Sequence, residues 1–314
     1  MRYLRRDEDP PGIGPARLLA RAVRELASDV RRAVRDWDPV TGAGLAATMA
    51  RYHWSLALGR NGGERRTFRI RWHGTEIRGA CRTDLSDLFV LREVFVHRIY
   101  EFPYERHVGP VRRVLDLGSN AGFSPLYFSL VCPGAEIACV EPVGANVELV
   151  RENAARNRLP WTVHQAAVAA TPGEVTLYSS GWWASSSTTK EVAQARAASQ
   201  HRPERQLGGT EETVRAVTVP DLLDELGWDT VDVVKMDIEG AERDVLLDGD
   251  TSWLDRVGVL VLDIHAKYVP RERIVARLAG HGFTPAAEAG AHSAVFLSPR
   301  ARDRRVAARR STNV

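Results

Sequence analysis

The sequence predicts an α/β protein: a doubly wound, mostly parallel sheet of seven strands with helices on both faces, preceded by an N-terminal helix and β-hairpin. Two observations carry that prediction. From Val111 onward, short aliphatic runs alternate with helix-period segments, the pattern of parallel strands buried on both faces. The first run ends in a glycine-bearing turn that opens a helix, the arrangement found at ligand-binding crevices of open sheets.

Residues 1–80 read as an extension. Between 16 and 36, Leu18, Leu19, Ala22, Val23, Leu26, Val30 and Val34 recur at three- and four-residue steps with arginines between them. Such an amphipathic helix packs on its own domain, closes over it, lies on a membrane surface or joins two copies as a homodimer. Residues 67–80 alternate around His73-Gly74 as a β-hairpin.

The main domain is expected over 81–298. It opens with a helix capped by Thr83-Asp84, running through Leu88, Val90, Leu91, Val94, Phe95 and Ile99 and stopping before Pro103. Strands are predicted at 114–117, 136–140, 162–168, 231–236 and 257–264, with weaker ones at 283–287 and 294–297; helices are predicted at 145–157, 219–226, 241–247 and 271–281. The stretch 174–209 interrupts this alternation. Within it, Trp182 and Trp183 beside Ser185, Ser186, Ser187, Thr188 and Thr189 suit a lid over an acceptor, or aromatic packing on the sheet or a partner.

Composition removes several function classes. Of 314 residues 44% are hydrophobic, yet no stretch reaches the apolar length of a membrane span. The charged start, Met1 to Asp9, lacks the apolar centre of a secretory signal, and Cys81, Cys132 and Cys139 show no C-x-x-C spacing, so a cytoplasmic location with reduced thiols is expected. The net charge of +3 comes from the end of the chain, where Arg300, Arg302, Arg304, Arg305, Arg309 and Arg310 face Asp303 alone. Residues 299–314 read as a basic disordered tail, and the slightly negative body gives no footprint for nucleic acid.

The chemistry begins at Asp116-Leu117-Gly118-Ser119-Asn120-Ala121-Gly122-Phe123, where Gly118 and Gly122 would let a ligand approach the backbone at the helix start. Asp116, at the strand end, is placed to meet a cation. The next strand ends in Glu141, a carboxylate positioned for both hydroxyls of a ribose. A dinucleotide site would share that acid but calls for G-x-G-x-x-G, whereas the glycines here are four apart. S-adenosylmethionine, with a ribose, a sulfonium and no phosphate, matches the set better. A methyltransferase-like binding module without turnover and an NAD-dependent oxidoreductase stand as alternatives.

With these segments in view, the chain resembles the FkbM family of methyltransferases over about 82–298. The resemblance is carried by Asp116 to Phe123, Glu141-Pro142, Ala167-Val168 with Gly173, Val175 and Tyr178, the loop of Ser185 to Ser187, and Lys235-Met236-Asp237-Ile238-Glu239-Gly240-Ala241-Glu242. Upstream, Thr83-Asp84-Leu85, Val94-Phe95 and Tyr100 are similar as well. It implies the Rossmann-like sheet of class I methyltransferases, S-adenosylmethionine as donor, and methylation of a hydroxyl on a sugar, polyketide or other specialised metabolite. The cofactor set it implies is Asp116, Gly118, Ser119, Asn120, Gly122, Glu141 and Ala167.

For the reaction, Asp237 ends the fourth main strand, Glu239 follows it, and His265 follows the fifth. Neighbouring strands would bring Asp237 and His265 to one crevice, His265 as base and Asp237 orienting it. The competing reading makes Glu239 and Glu242 helix-start residues and His265 a local hydrogen-bonding group. Asp237, Glu239, Asp263 and His265 are types a divalent ion accepts, but no known ligand spacing is present and no metal is expected. Lys235, at a buried strand end, is expected to pair with an acid.

Overall fold

The computed structural model describes residues 15–58, 64–83, 85–179, 186–187, 210–264, 271–286 and 294–301. Two helices, α1 (Pro15–Asp36) and α2 (Pro39–Leu58), form a hairpin, followed by the antiparallel pair β1 (Arg65–Trp72) and β2 (Thr75–Arg82). The sequence reading found α1 and the hairpin but not α2. That helix lacks a polar stripe: Val40, Ala43, Ala47, Ala50 and Trp54 are exposed while Leu45, Met49 and Tyr52 are buried, so no helical period stands out.

The expected helix after the hairpin is shorter and changes pitch. It comprises α3 (Leu85–Leu91) and then one π-helical turn, Arg92–Val96. Thr83 Oγ1 accepts the N–H of Glu64 (3.1 Å) and so ties the incoming strand, whereas a helix cap had been expected of it; Asp84 lies outside the described residues. A short helix α4 (Glu105–Val108) leads into the main sheet.

That sheet has seven strands in the order β12-β13-β11-β10-β3-β4-β5: β3 (Arg113–Leu117), β4 (Glu136–Glu141), β5 (Thr162–Gln165), β10 (Val231–Met236), β11 (Val257–Leu262), β12 (Thr284–Pro285) and β13 (Ala294–Leu297). β5, β4, β3, β10 and β11 run parallel, and β13 pairs antiparallel with β11 and β12. Between them lie α5 (Phe123–Val131), α6 (Gly144–Asn157), α7 (Val219–Glu225), a π-helical turn Asp244–Asp248, a 3-10 turn Ser252–Arg256 and α8 (Arg271–Gly280). Alternate strand residues feed two cores, as burial on both faces requires. Val114, Ile137, Cys139, Val233 and Val259 pack on one face; Leu115, Leu117, Ala138, Val140, Val234 and Leu260 pack on the other.

The first core is continuous with the N-terminal extension. Trp37, Leu45, Met49, Ile70 and Phe95 belong to it, and the Phe68 ring meets Phe123 of α5 at 5.6 Å. At its centre Asp29 of α1 is fully buried and receives Arg92 Nε (2.6 Å), with His53 Nε2 at 2.8 Å and His97 Nε2 at 3.0 Å. Burial alone would raise the Asp29 carboxyl's pKa, but hydrogen bonds from His53, His97 and Arg92 outweigh it and hold the group well below the usual carboxylate range.

A second sheet, in the order β6-β9-β7-β8, is built from β6 (Ala167–Val168), β7 (Gly173–Ser179), β8 (Ser186–Ser187) and β9 (Thr210–Val217). The run predicted as one strand over 162–168 breaks at Ala166, whose N–H goes to Glu141 O (3.2 Å), and its end joins this sheet. The strand β9 was not foreseen, because Thr-Glu-Glu-Thr-Val-Arg-Ala-Val is polar for most of its length. Trp182, Trp183 and Ser185 lie outside the described residues. At the C-terminus 299–301 form a helical turn in which Arg300 donates to Arg256 O (3.0 Å) and Ala301 is buried; 302–314 lie outside. Among the described residues no helix is long and apolar enough to cross a membrane, and Cys81, Cys132 and Cys139 are buried and form no disulfide.

Candidate active site

The turn after β3 is folded onto its neighbours by its own amides. Gly118 N and Ser119 N both donate to Val140 O (2.9 and 3.0 Å), Asn120 N to Glu141 Oε2 (2.9 Å), Ala121 N to Asn120 Oδ1 (2.6 Å) and Gly122 N to Ser119 O (2.8 Å). Five successive N–H groups are thus engaged within the protein, so none is presented as a cradle for a pyrophosphate. The glycines also have a packing reason. Gly118 has φ +82° and a Cβ there would sit 1.9 Å from Asp237 O; Gly122 has φ +84° and its Cβ would meet Val150 Cα of α6 at 3.2 Å. Close contact of β3 with β10, and of α5 with α6, excludes side chains at both positions.

Asp116 meets its cation inside the sheet. It is fully buried, Lys235 Nζ lies 3.1 Å from Oδ1, and Ser124 Oγ donates to Oδ2 (2.6 Å). Oδ1 is paired with that ammonium, which also donates to Gly118 O (2.5 Å) and Leu117 O (3.4 Å). The expected acid partner of Lys235 is therefore Asp116. Burial would lower the lysine's pKa, but Asp116, with Asp237 and Glu141 beyond, raises it above the ordinary value.

Glu141 closes β4 with only 5% of its surface exposed. Its Oε1 accepts Val143 N (3.1 Å) and Asn146 Nδ2 (3.0 Å), while Oε2 accepts Asn120 N alone. Burial pushes its pKa up, against the opposing pull of these three donors and Lys235. A carboxylate takes about four hydrogen bonds, so Oε2 retains acceptor capacity. Ala167 stands just beyond the Ala166 contact with Glu141, its side chain buried with Leu177 and Val214.

Asp237 follows β10, its N–H bonded to Leu117 O (3.1 Å), and Tyr100 OH lies 3.5 Å from Oδ2. Burial, then Asp237, raises the Tyr100 phenol's pKa well above its usual value, so it stays a donor. Glu239 takes the left-handed conformation (φ +60°), and the turn around it is held by buried Glu242, which accepts Ile238 N (3.0 Å) and Gly240 N (2.8 Å). That clamp is the structural part the competing sequence reading gave Glu242. Asp263 follows β11, with its N–H on Met236 O (3.0 Å); His265 lies outside the described residues. Among the described residues no three His, Cys, Asp or Glu side chains are grouped to hold a metal.

Two residues here were not among the expected site residues. Tyr100 appeared only as part of an upstream similarity, and Glu93 carried no signal at all. Glu93 has Asp237, Asp263 and Glu239 as charged neighbours together with Arg92; burial first, then these carboxylates, pushes its pKa up to about 8.

These residues fit S-adenosylmethionine: a buried acid with spare acceptor capacity at the end of β4, carboxylates after β10 and β11, and turn amides that are not arranged for phosphate. Residues 116–292 match the methyltransferase FkbM domain. The chain is similar to the 31-O-demethyl-FK506 methyltransferase FkbM of Streptomyces tacrolimicus, 30% identical over 217 residues, covering 64% of this chain and 83% of that protein. It is also 24% identical over 202 residues to the AMB antimetabolite synthetase AmbE of Pseudomonas aeruginosa, 57% of this chain but 10% of that protein. Among solved structures, Aeropyrum pernix fibrillarin with bound S-adenosyl-L-methionine aligns with a TM-score of 0.37 at 11% identity, over 76% of this chain and 84% of that one. With the domain match spanning more than half of the chain, the protein belongs to the FkbM family of S-adenosylmethionine-dependent methyltransferases.

Proposed function

We propose that the chain methylates a hydroxyl group of a small specialised metabolite, with Asp237, Glu239 and His265 at the reacting centre. The observation that carries this reading is the position of Asp237, at the carboxyl edge of the strand beside the donor turn and within reach of the Tyr100 hydroxyl. The Streptomyces relative, named for a 31-O-demethyl substrate, supports an oxygen acceptor. The slightly negative body favours a small molecule over nucleic acid.

S-adenosylmethionine supplies a methyl group already activated by positive sulfur. Gly118, Ser119, Asn120 and Gly122 form the turn that shapes its site, Glu141 takes the ribose hydroxyls, and Ala167 lies at the rim; Asp116 acts through Lys235 to hold the strand ends in register. Asp237 orients His265, which takes the hydroxyl proton, a contribution of roughly 10² to 10⁴-fold. Glu239 fixes the acceptor from its left-handed turn. Alignment within about 3–3.5 Å then provides much of the remaining acceleration.

Calorimetry with S-adenosylmethionine tests the donor site. Wild type should bind, and Glu141→Ala should bind at least ~10-fold more weakly, the loss of a charged hydrogen bond. Equal affinities would remove Glu141 from the site. Transfer of a labelled methyl group to a panel of hydroxylated metabolites tests the acceptor class; labelling of amines alone would refute it.

A further inference from the structure

Among the described residues, the large hydrophobic side chains that stand exposed are all in the α1–α2 hairpin: Leu19, Val23 and Val34 on α1, Val40 and Trp54 on α2, between 50% and 67% exposed. Single exposed apolar residues are ordinary, but a contiguous set marks a contact surface. On α1 the set is contiguous: at about 100° per residue, Leu19, Val23, Ala27 and Val34 fall within an arc of roughly 80°, and all four are exposed. The arc on one side of it, with Leu26, Asp29 and Ala33, turns inward. On its other side lie Arg17, Arg24 and Arg31, exposed and seven residues apart, a line of cations about 20 Å long. On α2 the exposed side carries Val40, Ala43, Ala47, Ala50 and Trp54, with Arg51 one turn from the indole.

The border of this surface has one sign. The acids of α1 are withdrawn from it: Glu25 pairs with Arg21 (3.8 Å), Asp36 pairs with Arg35, and Asp29 is buried against Arg92. Among the described residues Arg17, Arg24, Arg31 and Arg51 have no ion pair. That charge selects the occupant. A second copy meeting this face across a two-fold axis would set the arginines near their own images. A nucleic acid would engage the arginines and leave Leu19, Val23 and Trp54 in water. An acidic protein cleft calls for knobs to fill it, whereas the large side chains here are spread over two helices with alanines between them. An anionic bilayer, charged at its surface and apolar just beneath, satisfies both the arginines and the apolar strip.

We infer that the α1–α2 hairpin is a docking surface for an anionic membrane. Leu19, Val23, Val34, Val40 and Trp54 enter the headgroup boundary, and Arg17, Arg24, Arg31 and Arg51 face the lipid phosphates. The contact is peripheral, since neither helix is long and apolar enough to cross the bilayer. The inference is independent of the methyltransferase reading, because none of these residues belongs to the donor or acceptor site.

Cosedimentation of the full chain with two kinds of vesicle tests it, one of phosphatidylcholine alone and one with about a third phosphatidylglycerol. Wild type should bind the mixed vesicles, bind the neutral ones far more weakly, and be released by high salt. Replacing Arg17, Arg24 and Arg31 together by Gln should lower partitioning roughly 100-fold, about fivefold for each charge. The pair Val23→Asn and Trp54→Gln should lower it at least ~10-fold. All five positions are exposed, so calorimetry with S-adenosylmethionine should give wild-type donor affinity in both variants and report that they are folded. No binding to mixed vesicles, equal binding to the two kinds, or wild-type partitioning of both variants overturns the proposal. So does a dimer, seen by light scattering without lipid, that the Val23→Asn and Trp54→Gln pair dissociates, since the face then belongs to a second copy. Should duplex DNA but not the mixed vesicles bind, with the loss confined to the arginine variant, the partner is nucleic acid and the proposal also fails.

Discussion

Removing the ammonium of Lys235 tests whether the centre of the sheet depends on one buried ion pair. Lys235→Met keeps the apolar stem and takes away the charge. Asp116, fully buried, would be left with Ser124 Oγ as its hydroxyl donor, and Gly118 O and Leu117 O would each lose the lysine. Breaking a buried pair from one side typically costs about 3–5 kcal/mol, because the remaining charge is stranded. Asp116→Asn should cost less, since Lys235 keeps both carbonyl acceptors. The double variant strands neither charge, so its cost should fall below the sum of the single costs by about 1–3 kcal/mol. Urea unfolding followed through the fluorescence of buried Trp228 and Trp253 measures all three variants. A Lys235→Met loss below about 1 kcal/mol, or strict additivity in the double variant, would refute the pairing argument.

Two further outcomes are expected. Glu242→Ala leaves the Ile238 and Gly240 amides without their acceptor, at ~1–3 kcal/mol each, and Glu242→Gln, which keeps one oxygen, should lose about half as much in the same unfolding assay. Asp237→Ala and His265→Ala should each lower methyl transfer at least ~10-fold with donor affinity nearly unchanged, as calorimetry beside a turnover assay will show; unchanged turnover in both removes them from the chemistry.

The turn amides decide between two cofactor readings that the primary structure left side by side. An adenine dinucleotide would need N–H groups aimed at its phosphates, and Gly118, Ser119, Asn120, Ala121 and Gly122 all donate within the protein. The spacing of the two glycines hinted at this, but where each amide points depends on Val140 and Glu141 of the adjacent strand. The Gly118 position also shows how one residue serves two ends: the same absence of Cβ that opens the turn lets the Asp237 carbonyl approach.

The sequence by itself determined the alternation of strands and helices that builds the seven-stranded sheet, the hairpin, the turn at Asp116 to Phe123 and the carboxylates that end β4 and β10. These depend on period-2 and period-3.6 patterning, on glycine at positive φ and on short spacings, all of which are written locally. Only the tertiary structure decided that α2 exists, that 162–168 divides between two sheets, and that Asp116 faces Lys235. It alone brought Tyr100 to Asp237, 137 residues away, and set Glu93 among the strand-end acids. The reason is physical: a side chain's role at the sheet edge depends on which distant segment is buried over it. Here the anchoring of Arg92, His53 and His97 on Asp29 selects that segment, through contacts that leave no period in the chain.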